Sequence, residues 1–246
     1  MKNVKKNMLL AGAAIGVAGL GFISFYSKPV SSPPVVVAVA SSKATSGTNS
    51  NDWLAKETEV IGAQATSLSK GAIKAGLTAY QKARKEGLDT KEMLTIIDYS
   101  KSSGDRRLMV FDMKNQKVLF NTWVAHGKNS GAANATSFSN DAQSLKSSLG
   151  VFMTSDVYDG KHGESLRVQG LEPGINDNAM RRDIVFHSAQ YVGADVARAR
   201  GMVGRSWGCM AVDSATIKPL INTIKGKTLV VAYYPDKKWL SHSSFL

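Results

Sequence analysis

Two segments of the chain carry hydrophobic residues at helical spacing. In residues 67–84, Ile73, Leu77 and Tyr80 recur at i, i+4 and i+7, the period of one face of an α-helix. A second stripe lies in residues 214–225, and its members are Ile217, Leu220, Ile221 and Ile224. We predict one helix in each segment, packed on the core through its apolar face.

After residue 93 the hydrophobic period becomes that of β-strands. Short runs rich in β-branched and aromatic residues alternate with turn residues. The strand candidates are residues 94–99, 108–113, 117–125, 150–154, 183–187 and 228–234. This pattern predicts a β-rich domain, mainly β with a few peripheral helices.

Two long polar segments interrupt the strand pattern. Residues 127–149 and 155–182 are rich in glycine and polar residues and show little periodicity. Irregular loops longer than about 12–15 residues are uncommon in compact domains unless they are functional. We therefore expect these two segments to wall a surface site.

The first 52 residues differ in composition from the rest of the chain. Lys2, Lys5 and Lys6 precede an uncharged stretch of 18 residues from Met8 to Phe25, and a basic region before an apolar segment is typical of export. We predict an export signal or N-terminal membrane anchor over residues 1–26. A Ser/Pro-rich linker follows at residues 27–52, and a catalytic domain at residues 53–246. The expected location is the periplasm or cell envelope, with anchoring to the inner membrane as one alternative.

The positive net charge of the chain indicates an anionic partner. The formal charge is +12, and beyond residue 40 the chain keeps 27 basic against 19 acidic residues, a balance of +8. A basic body favours anionic partners such as nucleic acid, anionic lipid or a carboxylate-bearing polymer. No dense Lys/Arg run with interleaved aromatic residues is present, so nucleic acid is not the expected partner.

The chain has a single cysteine, Cys209, in the sequence GRSWGCM. An exported protein usually pairs its cysteines, and one cysteine has no partner in its own chain. The alternatives are an intermolecular bridge, a buried inert thiol or a reactive thiol. The bracketing glycines, Gly204 and Gly208, favour a tight turn that presents the thiol. We predict oxyanion or substrate contacts for Gly208, Ser206 and Arg205 in this turn.

A nucleophilic thiol needs a base, and the chain has four histidines. His187 closes a strand-like run 22 residues before Cys209, which makes it the expected base. His126 and His162 each precede a glycine in or beside the long polar segments, and we expect His126 to line the site. The group that orients His187 stays open among Asp183, Asp195 and a backbone carbonyl.

Chain order and spacing separate several thiol chemistries. Papain-like hydrolases place cysteine before histidine, which is the opposite order. Sortases use an arginine just after the cysteine, whereas Met210 follows here. Zinc sites need ligand spacing such as CxxC or HExxH, which this sequence lacks. We therefore expect no metal.

His187 followed by GRSWGCMAV resembles the catalytic motif of the YkuD-type L,D-transpeptidases, a histidine, a spacer and then Ser/Thr-x-Gly-Cys. Further segments are similar to the murein L,D-transpeptidase catalytic domain: DYS, RLMVFD, VAHGKNSG, FSN, SSLGVFMT and YDGKHGESLRVQGLE. The resemblance covers roughly residues 65 to 235. Two departures are the 18-residue spacer between His187 and Ser206, and Met210 at a position where this group has proline.

The resemblance implies a β-sandwich fold and a cysteine acyltransferase without cofactors. Cys209 would be the nucleophile and His187 the base, and the substrates would be peptidoglycan stem peptides. Transpeptidation is the expected outcome. The alternatives are an L,D-carboxypeptidase or endopeptidase of the same fold, and a non-catalytic cell-wall-binding module. A membrane contact would come only through the N-terminal segment, and the oligomeric state stays open.

Overall fold

The computed structural model describes residues 50–246, which contain five helices and eight strands. In chain order the elements are α1 (Ser50–Gln64), α2 (Lys70–Lys85), β1 (Met93–Asp98), β2 (Leu108–Asp112), β3 (Lys117–Thr122), β4 (Gly150–Gly160), β5 (Gly163–Gly170), β6 (Val185–Ser188), α3 (Ala194–Arg200), β7 (Met210–Val212), α4 (Ile217–Ile224), β8 (Leu229–Tyr233) and α5 (Lys237–His242). The predicted β-rich fold class is confirmed.

The predicted export signal or anchor and the linker up to residue 49 lie outside the described residues. Helix α1 begins at Ser50, within the last residues of the predicted linker. Among residues 50–246, each helix is too short or too polar to cross a lipid bilayer.

All eight strands are hydrogen-bonded into one mixed sheet with the order β3-β2-β1-β8-β4-β5-β6-β7. The pairs β1–β8 and β6–β7 are parallel, and the other neighbouring pairs are antiparallel. Strands β1 and β8 are buried almost throughout, which explains why their sequences are continuous apolar runs rather than alternating ones.

Helix α2 covers the centre of the sheet. Its N-cap is Ser69, whose hydroxyl accepts a hydrogen bond from Ala72 N at 3.2 Å. Gly76 lets the helix approach β1, because a Cβ at this position would lie 2.4 Å from Ile96 Cδ1. The predicted helix therefore exists and packs as expected, and its glycine marks the point of closest contact with the sheet.

Residues 155–182 are more regular than predicted. Strand β4 continues to Gly160 and forms a hairpin with β5, with an irregular register between Thr154 and Val157. Side chains of β4 are buried up to Thr154 and become exposed beyond it. The outer half of this hairpin covers no core, so its sequence lacks the apolar alternation by which strands are recognised.

Candidate active site

Neighbouring strands β6 and β7 bring the predicted base and nucleophile together. In their parallel register, Phe186 lies beside Met210 and His187 lies beside Ala211. Phe186 and Met210 face the main core, so His187 and Ala211 point to the opposite side of the sheet. Cys209 directly precedes β7. Strand spacing and rise place its Cα about 8 Å from that of His187.

The imidazole of His187 is buried, and its tautomer is set by a backbone carbonyl. Nδ1 lies 2.8 Å from Ser188 O. Because a carbonyl only accepts, Nδ1 carries the proton and Nε2 keeps a free lone pair. Burial lowers the pKa of His187, the Ser188 carbonyl opposes this, and His162 lowers the pKa further. Asp195 instead pairs with Arg198 at 3.1 Å.

The turn before Cys209 is closed by the Ser206 hydroxyl. Ser206 Oγ donates to Cys209 O at 2.7 Å and accepts from Gly208 N at 3.1 Å. Gly208 has φ +122, and a Cβ there would lie 2.7 Å from Lys146 O. Only glycine fits this position without strain. The turn is therefore held by its own hydrogen bonds and by close contact with the polar segment 127–149.

Neighbouring groups shift the pKa of the Cys209 thiol in opposite directions. Sγ donates a hydrogen bond to Asp183 O at 3.3 Å. Burial raises the pKa of Cys209, whereas the backbone N–H of Val185 and the charge of Arg182 lower it. The net direction is upward, and the pKa of His187 is lowered. The resting site therefore holds a thiol and a neutral imidazole, so thiolate forms by proton transfer to a base.

Arg182 is a site residue that the sequence analysis missed. Its guanidinium donates to Ser139 O and Lys146 O, both at 2.7 Å, to Ser144 Oγ at 3.2 Å and to Ser148 Oγ. These acceptors are neutral, so the positive charge stays available to the thiol nearby. Arg182 also anchors the segment 127–149 beside the turn. Its place in an irregular loop gave no sequence signal.

The structure places His126 beneath the turn and not on its surface. The ring is fully buried, with Nδ1 2.8 Å from Arg107 Nη2 and Nε2 3.4 Å from Gly131 O. An arginine only donates, so Nδ1 accepts and the proton resides on Nε2. Burial and the Arg107 charge lower the pKa of His126 to about 4. Both nitrogens are occupied, and His126 O accepts from Ser206 N at 2.9 Å.

The turn residues predicted to contact substrate are also engaged within the protein. The N–H of Gly208 is donated to the Ser206 hydroxyl, which is itself buried. Arg205 is exposed, and its Nη1 donates to Lys128 O at 3.2 Å and Gly131 O at 3.1 Å. These residues therefore shape the turn and fix its neighbouring loop. Within residues 50–246, no three His, Cys, Asp or Glu side chains cluster to hold a metal ion.

Trp207 is the exposed aromatic side chain of the turn. Its relative exposure is 72%, which is unusual for the largest apolar side chain. Lys128 Nζ lies 5.9 Å from the ring centroid. An exposed aromatic ring two residues from the thiol offers a flat surface for a substrate. Trp207 stands within the motif GRSWGCM, so its place next to the thiol was visible in the sequence.

Comparisons with known proteins indicate the family of this chain. The sequence model of a family described as the L,D-transpeptidase catalytic domain matches residues 64–233, a range that includes both His187 and Cys209. A solved structure of an L,D-transpeptidase from Mycobacterium smegmatis is similar over 59% of this chain and 69% of its own. Its sequence identity is 12% and its TM-score is 0.33. A comparison with curated proteins found no match.

Proposed function

Because the chain belongs to the L,D-transpeptidase catalytic domain family, we propose that it is a cysteine-dependent peptidoglycan L,D-transpeptidase acting on stem peptides. The observation that carries this proposal is the place of Cys209 directly before β7, the strand that pairs with His187 of β6, together with the proton of His187 held on Nδ1. Nε2 of His187 keeps a free lone pair and the Cys209 thiol is still protonated, which are the two starting states of general-base catalysis.

Acylation begins when the thiol proton moves from its hydrogen bond with Asp183 O to Nε2 of His187. The thiolate attacks the carbonyl carbon before the terminal D-alanine of the donor peptide. The sulfur–carbon bond forms, and the carbonyl electrons move to oxygen. When the carbonyl re-forms, the bond to the D-alanine nitrogen breaks, and His187 returns its proton to that nitrogen. The products are a thioester on Cys209 and free D-alanine.

The groups around the Cys209 sulfur stabilise the thiolate mainly after His187 has taken up the proton. The Val185 N–H and the Arg182 charge both stabilise thiolate, while burial disfavours it. Proton transfer to His187 creates an imidazolium beside the sulfur, which offsets the burial cost through an opposite charge. In the resting protein the Cys209 side chain therefore stays a protonated thiol.

The fate of the thioester depends on the acceptor. An amine from a second stem peptide gives a cross-link, whereas water gives a trimmed peptide. Transfer to an amine requires a groove that positions the acceptor and limits water. The segment 127–149, packed on the turn through Lys146 and Arg205, and the exposed ring of Trp207 support such a groove. We propose transpeptidation as the main outcome and hydrolysis as a side reaction.

The test is incubation with purified muropeptide donor and acceptor, followed by mass analysis of the products and of the intact protein. We expect a covalent dimer and a transient acyl adduct. Cys209→Ala abolishes both, and His187→Ala slows acylation by about 10²–10⁴-fold. His242→Ala, which removes an exposed histidine of α5, is the matched control.

Each other outcome identifies a different function. Trimmed monomers without dimer at saturating acceptor identify a hydrolase with the same Cys209 chemistry. Binding to cell-wall material without any acyl adduct identifies a non-catalytic wall-binding module. Either result contradicts the transpeptidase proposal.

We propose that the protein acts outside the cytoplasm, in the periplasm or cell envelope. The support is the basic-then-apolar pattern of residues 1–26 together with the wall substrate of the family. A reporter fused after residue 45 should be exported, and the mass of the full-length protein in the membrane fraction distinguishes an anchor from a cleaved signal. A reporter that stays in the cytoplasm contradicts the proposal.

A further inference from the structure

The β4–β5 hairpin presents three side chains to the site. Arg167 lies beside Val185 in the β5–β6 register, so it shares a sheet face with His187, two residues further along β6. Tyr158 lies beside Ser165, two residues before Arg167, and so belongs to the same face. At the hairpin turn the ring of His162 stacks on His187 with centroids 4.5 Å apart.

The Arg167 guanidinium stacks on an aromatic ring, and its N–H donors have no acceptor among the described residues. Its guanidinium lies over the Tyr158 ring, 3.9 Å from the centroid, and the residue is half-buried. Among the described residues, no acceptor or carboxylate is hydrogen-bonded to the Arg167 guanidinium. Three other cations near the turn, Arg182, Arg205 and Lys146, each donate to protein oxygens.

Sheet geometry places Arg167 two strands away from Cys209. Arg167 is level with Val185, and the β6–β7 register begins one residue later with Phe186 beside Met210. Extending that register back by one residue puts Val185 level with Cys209. Two strand spacings separate Arg167 from Cys209, which is about 10 Å between Cα atoms. A donor bound at Cys209 therefore meets Arg167 through a group a few bonds away from its reacting carbonyl.

We propose that Arg167, stacked on Tyr158, binds a carboxylate of the donor stem peptide and makes the protein prefer that carboxylate to its amide. This inference rests on the proposed function. A guanidinium with one face covered by an aromatic ring keeps its edge free, and that planar edge matches a carboxylate with two parallel hydrogen bonds. An amide offers one acceptor oxygen and two N–H donors that face the donors of arginine.

Besides the carboxylate of the leaving D-alanine, a stem peptide with diaminopimelate before that D-alanine carries two carboxylates. One is the distal carboxylate of the diaminopimelate residue whose main-chain carbonyl is attacked, and the other is the free carboxylate of the preceding D-glutamyl residue. The hepta-carbon chain of diaminopimelate separates its two carboxyl groups by several bonds, which suits the distance from Cys209 to Arg167. Peptides amidated at one carboxylate or the other distinguish these two sources.

The experiment measures the rate of acylation by intact-protein mass with three tetrapeptides: the free acid, the distal amide and the D-glutamyl amide. We expect the unaltered protein to prefer the free acid over one of the two amides by about 10- to 100-fold, the range of a charge-assisted hydrogen bond. In Arg167→Gln this preference falls to near unity, because the free acid is slowed and the amide is not. Arg200→Gln, the same change in the exposed last turn of α3, keeps the preference.

The outcomes separate this inference from the proposed function. If the unaltered protein acylates none of the three peptides, the proposed function fails. If it acylates them without preferring the free acid to either amide, or if Arg167→Gln keeps the full preference, only the role of Arg167 is overturned. Arg167→Lys, which keeps the charge but loses the planar fork, covers the case in which Arg167→Gln does not fold. Arg167→Lys should retain part of the preference for the free acid. If this folded variant keeps the full preference, the role of Arg167 is also overturned.

Discussion

His126 provides a quantitative test of how the turn is supported. Its ring is fully buried against the Arg107 guanidinium, and its pKa is lowered to about 4 from the usual value of 6.5. The native protein therefore keeps His126 neutral at pH values where the unfolded chain protonates it. The stabilisation is complete above pH 6.5 and is lost as the pH falls towards 4, because the unfolded state binds more protons in that window.

The size of the effect follows from the two pKa values. At pH 5 the imbalance in proton binding lowers the free energy of unfolding by about 2 kcal/mol relative to neutral pH. Below pH 4 the loss reaches its limit of about 3 kcal/mol, since His126 then titrates in both states. This is a large share of the 5–15 kcal/mol that typically stabilises a domain.

The assay is denaturant unfolding at about pH 7.5 and about pH 5 for the unaltered protein and for His126→Asn. Asparagine offers Arg107 an acceptor oxygen but does not titrate. We expect the unaltered protein to lose about 2 kcal/mol more between the two pH values than the variant. His242→Asn is the control for removing a histidine from the surface. Equal losses in the unaltered protein and His126→Asn would refute the view that burial beside Arg107 keeps this ring neutral.

Three further predictions concern the turn. Gly208→Ala forces a side chain onto Lys146 O at positive φ, costs about 1–3 kcal/mol of backbone strain and should abolish acylation while circular dichroism stays native. Arg182→Gln removes a charge that lowers the pKa of Cys209. The pH profile of Cys209 alkylation should therefore move upward, and Arg182→Lys should move it less. Trp207→Ala should raise KM for muropeptides at unchanged melting temperature, and an unchanged KM would exclude Trp207 from substrate binding.

Local pattern predicted the elements that bury a regular apolar face. Helices α2 and α4 carry stripes at i, i+3 and i+4, and strands β1 and β8 are continuous apolar runs, so each was visible in the sequence. Strand β5 was not, because it lies in the hairpin whose outer half leaves the core. Strand β7 has only three residues, too few to show any period.

The amino-acid sequence by itself determined which groups can react: one thiol, a histidine at the end of a strand, and a glycine-bracketed turn. The tertiary structure decided where these groups lie and what they contact, because these contacts join distant segments. In the fold, Nδ1 of His187 is hydrogen-bonded to a carbonyl and Nε2 stays free, whereas both ring nitrogens of His126 are hydrogen-bonded. The tertiary structure also brought Arg182 beside the thiol and Arg167 to the same sheet face as His187. Register across strands sets these contacts, and a single sequence carries no register between strands that are far apart along the chain.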